Sequence, residues 1–357
     1  MRIVVLPGDG IGPEISASTV EVLDLLNRRL DLGIRFETHA VGLAPLEAVG
    51  ATVPPGVIEA CREADGIILG PVSHSDYPAR SEGGINISAE LRVVLDLYAN
   101  IRPSRSRAGV RHYGRTPMDL VIVRENTEGF YSDRNMFMGP GEFMPTEDIA
   151  ISLRKITAHG SSRIARAAFE LAMRRRRKVT AVHKANVIKV SEALFLREVR
   201  KVARDFPDVA YDEQLIDSMA ALLVRDAQRF DVVLTTNMFG DILSDEASEL
   251  SGSLGLGGAV NASDTHCMAQ AQHGSAPDIQ GQDKANPTSL LLSAGMLLDW
   301  IARRRGLNSY ARAAAAIEDA VGALVGDPAR RTGDLGGTLG TRAFTAALCE
   351  ELGRRLG

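Results

Sequence analysis

Cysteine is scarce in this chain: 357 residues carry three, Cys61, Cys267 and Cys349, widely spaced and without a CxxC pair. That spacing excludes a disulfide framework, offers no cysteine zinc site, and fits a reducing compartment. Long apolar runs are missing too. The most apolar stretch, SLLLSAGMLLDWIA, falls short of the ~20 residues a membrane-spanning helix needs, and the run inside MRIVVLPGDG is too short for a signal peptide. A cytoplasmic location is the expectation. Charge of one sign is lacking as well, since a formal net charge of -4 gives no general pull toward nucleic acid or an anionic membrane. There is no internal repeat and no low-complexity segment.

What is present is an alternation. Short apolar runs such as RIVVLP, GIILG, DLVIVR, KVTAVHK and FDVVLTT are followed or separated by amphipathic segments such as EISASTVEVLDLLNRR, ISAELRVVLDLY and VSEALFLREVRKVARDF. This predicts an α/β protein with a largely parallel sheet, and the length asks for one large or two medium domains. YSDRNMFMGPGEFMPTEDIA has Gly, Pro and Met without periodicity and reads as an arm or long loop. The RRRRK run, 174–178, reads as a solvated helix C-terminus.

PGDGIGPE, 7–14, lies where a dinucleotide fingerprint belongs, after a strand and before a helix. The spacing fails. Gly8, Gly10 and Gly12 read GxGxG, Pro13 occupies the third fingerprint position, and no acidic residue follows at the tip of a clear second strand. A structural turn with Pro13 at the first helical position accounts for the same residues, so a Rossmann fold is not expected.

TTNMFGDILSDEAS, 235–248, poses the main chemical question. With a helix starting near Met238, Asp241 and Asp245 are four residues apart and share one face, where like charges repel. A metal cation, an Arg or Lys, or solvent alone must separate them. Other polar residues also gather at the ends of apolar runs: Arg92 and Arg102 in LRVVLDLYANIRP, Arg124 and Tyr131 in VIVRENTEGFY, Lys184 in VHKANVIK, Asp217 in LIDSMAALLV. Taken singly, each has an ordinary structural explanation as a solvated charge or a core aromatic.

Taken together and in order, these segments, with GDILSDEAS and HGSAPDIQGQDKANP, resemble the β-decarboxylating dehydrogenases of the isocitrate, isopropylmalate, homoisocitrate and tartrate group, from PGDGIGPE to about residue 303. The resemblance implies their two-domain fold, with residues 1–98 plus 253–357 as one α/β domain, 99–252 as the other, and about 130–157 as a dimer arm. It implies NAD-dependent oxidation and decarboxylation of a 3-substituted (2R)-malate assisted by Mg2+ or Mn2+, for which hard oxygen ligands are suited. Asp217, Asp241 and Asp245 then match the cation ligands, and Arg92, Arg102 and Arg124 match the arginines that grip substrate carboxylates. Lys184 matches the residue that takes the C2 hydroxyl proton, and Tyr131 the acid that protonates the enolate carbon. The family supplies the Lys184 and Asp217 equivalents from a second subunit, so an obligate homodimer with shared sites is implied.

HGSAPDI looks like the family's nucleotide loop, with His273, Gly274, Ser275, Ala276, Asp278 and Ile279 as cofactor residues and Asn286 near the adenine. Asp278 implies NAD, because a carboxylate accepts from ribose hydroxyls and repels a 2'-phosphate, and NADP-dependent relatives carry Lys and Tyr at the 278 and 279 places. Asn86 and Ser88, on the helix leading to Arg92, stand at the family's specificity positions and favour a polar C3 substituent of the isocitrate or homoisocitrate kind; 3-isopropylmalate, tartrate and malate are the alternatives. Two departures stand out: Ala89 replaces the Arg common in homoisocitrate enzymes, and MAQAQHG places Gln270 where the family usually has Glu. A non-catalytic regulatory subunit of the same fold is the alternative of another class. Such subunits tend to lose the Tyr, Lys or Asp residues that this chain keeps. A metal-dependent lyase without redox chemistry is a third reading, opposed by the intact HGSAPD loop.

Overall fold

Strands form most readily where apolar, β-branched runs stand between helical segments. The computed structural model, which describes residues 1–131, 136 and 138–356, contains twelve of them: β1 Arg2–Leu6, β2 Arg35–Thr38, β3 Gly66–Leu69, β4 Ala99–Arg105, β5 Asp119–Glu125, β6 Glu142–Thr146, β7 Ile149–Ser152, β8 Lys178–His183, β9 Ala210–Leu215, β10 Val232–Thr235, β11 Val260–Ala262 and β12 Cys267–Gln270. Ten join one sheet in the order β2-β1-β3-β12-β11-β4-β5-β10-β8-β9. The wings are parallel, as the alternation predicts. The centre is not: β12, β11, β4 and β5 pair antiparallel. Antiparallel neighbours need no crossover helix, and β11 turns directly into β12 through a bend closed by Ser263 N–H donating to the His266 carbonyl at 2.8 Å.

The fully buried members of the hydrophobic clusters divide at that centre. Two clusters draw only on residues up to Leu97 and from Leu256 onward, the other two only on residues from Ala99 to Ala247. The cleft discussed below opens where the two halves meet.

The PGDGIGPE turn follows β1, and its helix runs Gly12–Leu30 with Pro13 one residue inside the start rather than at it. Gly10 has φ +56°, and a Cβ there would stand 2.0 Å from the Ser275 carbonyl oxygen. The glycine is required because two backbones touch, with Ile11 N–H donating to Ser275 O at 2.8 Å.

Two expectations are revised. The segment read as an arm or loop contains an exposed antiparallel hairpin, β6 and β7, that carries Phe143, Met144, Ile149 and Ile151 on its surface; residues 132–135 and 137 of the expected arm lie outside the described residues. The RRRRK run follows a helix end with Arg174, Arg176 and Arg177 exposed, as expected, but Arg175 has a further use. The helix Ala158–Ala172 stops before it, and Arg175 spans Asp119 (2.8 Å) and the buried Asp231 (2.7 Å), tying the starts of β5 and β10 together. Buried Asp231 requires a hydrogen-bonded cation, which a run of four arginines can supply. Among the described residues no helix is long and apolar enough to cross a membrane.

Candidate active site

A cleft of about 340 Å3 opens at the sheet centre, lined by Arg92, Arg102, Arg124, Tyr131 and Asp241 together with Asn86, Ser88 and Gln270. Arg92 lies on the short helix Ile87–Val94, whose N-cap is Asn86; the Asn86 side-chain oxygen accepts from Ala89 N–H at 3.2 Å. That oxygen caps the helix terminus, and the Asn86 amide nitrogen is left to donate to a ligand. Arg102 projects from β4 and Arg124 from the end of β5.

Asp241 and Asp245 stand on the helix Asn237–Ser251, which begins directly after β10 and puts them four residues apart on one face, as predicted. What lies between them in this chain is arginine. Arg124 forms a hydrogen-bonded ion pair with Asp241, and Arg102 reaches Asp245 at 3.0 Å and Asp241 at 3.5 Å. Tyr131 Oη donates to the second Asp241 oxygen at 3.2 Å. Gly240 lets Arg124 lie flat along the helix, since a Cβ there would meet the arginine stem at 2.6 Å. Burial, then the nearby Arg102, push the Arg124 guanidinium down to about 10, still protonated at neutral pH. Burial raises the Asp245 carboxyl, Arg102 opposes this, and the Asp241 charge adds to the rise. Glu246 is half-buried and does not line the cleft.

Lys184 and Asp217 are not brought to this cleft. They pair with each other at 2.6 Å, a contact that lowers the Asp217 pKa. Among the described residues no three His, Cys, Asp or Glu side chains converge as a cation cage. The donor chemistry nevertheless fits a hard divalent ion: Asp241 and Asp245 offer oxygens only, from one helix face.

The loop 273–279 follows β12. His273 lines the cleft and also a second pocket of about 270 Å3 with Ile11, Gly274, Ala276, Ile279 and Asn286. Burial lowers the His273 pKa, and its Nε2 is buried without a partner, an orphan polar atom that a cofactor placed across the two pockets would satisfy. Ser275 is buried, its hydroxyl 2.7 Å from that of Ser73. Asp278 is exposed at the loop tip.

Sequence reading missed the residues that hold these groups. Asn237 accepts from Arg124 Nη2 at 2.6 Å, and Ser244 accepts from Arg102 at 2.8 Å. Asp334 accepts from Asn286 Nδ2 at 2.9 Å and lines the second pocket; its only sequence signal is the glycine-rich turn TGDLGG. Asp9, inside PGDGIGPE, accepts from Leu43 N–H at 2.7 Å, Ser73 N–H at 2.9 Å and the Tyr77 hydroxyl. It ties the turn to a wall of the cleft, because Pro71, Val72 and His74 line that wall.

The chain matches the isocitrate/isopropylmalate dehydrogenase family over residues 2–353. It is 39% identical over 344 residues to a 3-isopropylmalate dehydrogenase of Archaeoglobus fulgidus, covering 96% of this chain and 97% of that protein. It is 40% identical over 353 residues to an isocitrate/homoisocitrate dehydrogenase of Thermus thermophilus, covering 98% of each. The crystal structure of isocitrate dehydrogenase from Methylococcus capsulatus superimposes with a TM-score of 0.86 at 35% identity, covering 98% of this chain and 99% of that one.

Proposed function

Because the chain belongs to the isocitrate/isopropylmalate dehydrogenase family, whose members are β-decarboxylating dehydrogenases, we propose that it catalyses NAD-dependent, Mg2+- or Mn2+-assisted oxidative decarboxylation of a 3-substituted (2R)-malate of the isocitrate or homoisocitrate type. The observation that carries the choice of substrate is the cleft wall. It has no Leu, Ile, Met or Phe among the described residues, and Ser88 sits one helical turn before Arg92. An isopropyl group would find little apolar surface there.

In this reading Arg92, Arg102 and Arg124 bind the carboxylates and fix the C2–H bond toward the nicotinamide. Lys184 of a second copy removes the C2 hydroxyl proton as the C2 hydride leaves. Loss of the C3 carboxylate as carbon dioxide leaves an enolate, and Tyr131, oriented by its hydrogen bond to Asp241, delivers a proton to the carbon. Asp241 and Asp245, with Asp217 of the second copy, would hold the divalent ion, which supplies charge stabilisation at the C2 oxygen and the enolate. Residues 273–279 and Asn286 would hold NAD, which would supply the hydride acceptor. The separation of Lys184 and Asp217 from the cleft within one chain supports a homodimer with shared sites.

One observation favours 3-isopropylmalate instead. Val187 and Val190, beside Lys184 in sequence, are 66% and 86% exposed, and a second copy that presents Lys184 to the cleft would bring an apolar surface with it. Initial rates of NADH formation with Mn2+ over malate, tartrate, isocitrate, homoisocitrate and 3-isopropylmalate decide. The highest kcat/KM is expected for a tricarboxylate; a lead for 3-isopropylmalate reverses the ranking, and inertness toward all five rejects the dehydrogenase reading.

A further inference from the structure

Gln270 ends β12 on the cleft floor, and its side-chain oxygen is a meeting point. Ser88 Oγ donates to it at 3.0 Å, Asn261 Nδ2 at 3.2 Å and Arg92 Nη2 at 3.4 Å. An atom approached by a guanidinium and two other donors has to be the oxygen, so these neighbours fix which way round the amide lies. The network continues inward through neutral groups only: Asn261 Oδ1 accepts from Asn100 and Asn126, each at 3.0 Å, and all three asparagines are buried. At the other end of the Gln270 amide, Nε2 donates to no described residue and is not among the buried unpaired atoms, and the residue lines the cleft.

We propose that Gln270 is a substrate-specificity residue, donating a hydrogen bond from Nε2 to a carboxylate oxygen of the C3 substituent while its oxygen orders Ser88 and Arg92. The proposal rests on the dehydrogenase reading above and names the class of substituent: an oxygen acceptor, anionic in the preferred substrate. The chemistry of the amide points the same way. A carboxylate in place of the Gln270 amide would present an acceptor where the cleft now presents a donor. It would also draw the Arg92 guanidinium into an ion pair, so an anionic substituent would lose a donor and face a like charge at once. A neutral branched substituent would lose neither.

The test compares the unmutated protein with Gln270→Glu and Gln270→Met, both close to glutamine in volume, using kcat/KM for isocitrate, homoisocitrate and 3-isopropylmalate at saturating NAD, and KM for NAD at saturating substrate. Circular dichroism melts establish that each variant is folded. The ratio of the better tricarboxylate to 3-isopropylmalate is expected to fall about tenfold in Gln270→Met, the worth of one hydrogen bond to a charged group, and further in Gln270→Glu. A ratio unchanged within about twofold in both variants overturns the proposal. So does a change confined to KM for NAD, which would place the Nε2 donor against the cofactor. An unmutated protein inert toward all three acids overturns the underlying dehydrogenase reading, and this role with it; activity with an unmoved ratio overturns only the role of Gln270.

Discussion

Asp278 is a single carboxylate on an exposed loop tip, and the proposed cofactor choice turns on its sign. If adenosine ribose lies beside it, a 2'-phosphate there meets a like charge, so NAD is expected to exceed NADP in kcat/KM by about tenfold or more, and Asp278→Lys with Ile279→Tyr to narrow or reverse that ratio. Steady-state rates with both cofactors check it, and equal kcat/KM for the two in the unmutated protein would sink the idea. Residues of this kind are legible in sequence only as an ordered set, because a single charge at the end of an apolar run has ordinary structural uses; Arg102, Arg124 and Asp241 stood out through the resemblance of the whole set to a family, and the structure gathers them in one cleft. Asn100, Asn261 and Gln270 did not read as a network. Each lies in or at the end of a strand, and their meeting depends on β11 pairing with both β4 and β12, which no local pattern encodes. Asn86 was legible as a polar position and misread in emphasis, since its oxygen caps a helix.

At the scale of elements, the helices and wing strands follow from periodicity, whereas the three-residue β11, VNA, is too short to show any. The PGDGIGPE turn shows how far an element can act: it is wedged against the nucleotide loop by Gly10 and against the cleft wall by Asp9. Gly10→Ala would drive a methyl into the Ser275 carbonyl in a left-handed backbone, so a loss of about 1–3 kcal/mol in stability is expected, with KM for NAD raised more than KM for substrate. Thermal melts and the two KM values test this; a KM for NAD equal to that of the unmutated protein would show that the contact does not shape the cofactor loop. A second element-level device closes the chain. In the helix Thr341–Leu356, Glu351 is buried and accepts from Arg354 and Arg355, one turn on, and from Arg330. Arg354 above all, then Arg355 and Arg330, hold its carboxyl near about 2, below the ordinary 4.5, against the opposing effect of burial. A folded-state pKa below the unfolded one gives stability that is present above about pH 4.5 and is lost as pH falls toward 2. The arginines are partly solvent-exposed, so screening reduces the effect to about 1 kcal/mol. Glu351→Gln is expected to lower the unfolding free energy read from urea titration at pH 7 by that amount and to match the unmutated protein near pH 2; a difference that does not vary with pH would mean that packing, not charge, sets its effect.

For the whole molecule, the division of the core at Ala99 and Leu256 supports reading residues 1–98 with 253–357 and residues 99–252 as two domains that meet at the antiparallel centre of the sheet. It also leaves a puzzle: the residues proposed for the site do not all meet within one chain. Arg124, Tyr131 and Asp241 converge, while Lys184 and Asp217 face each other elsewhere, near the exposed Val187 and Val190. A carboxylate 61% exposed and a neighbouring apolar surface left to water are what one half of an interface looks like. If a two-fold dimer completes each cleft with Lys184 and Asp217 of the second copy, the two faults can be separated onto different chains. Lys184→Ala and Asp241→Asn should each be nearly inactive alone, the first lacking the base and the second a cation ligand. Unfolded together in equal amounts and refolded, about half of the dimers are hybrids, and each hybrid has one site in which both residues are intact, so about a quarter of the unmutated activity should return. Hybrid formation is followed independently with a charge tag on one of the two variants, resolved by ion exchange. A mixture that contains hybrids yet stays inactive would place Lys184 and Asp241 in the same chain's site, and the pairing of Lys184 with Asp217 would then have to open for that chain to work alone.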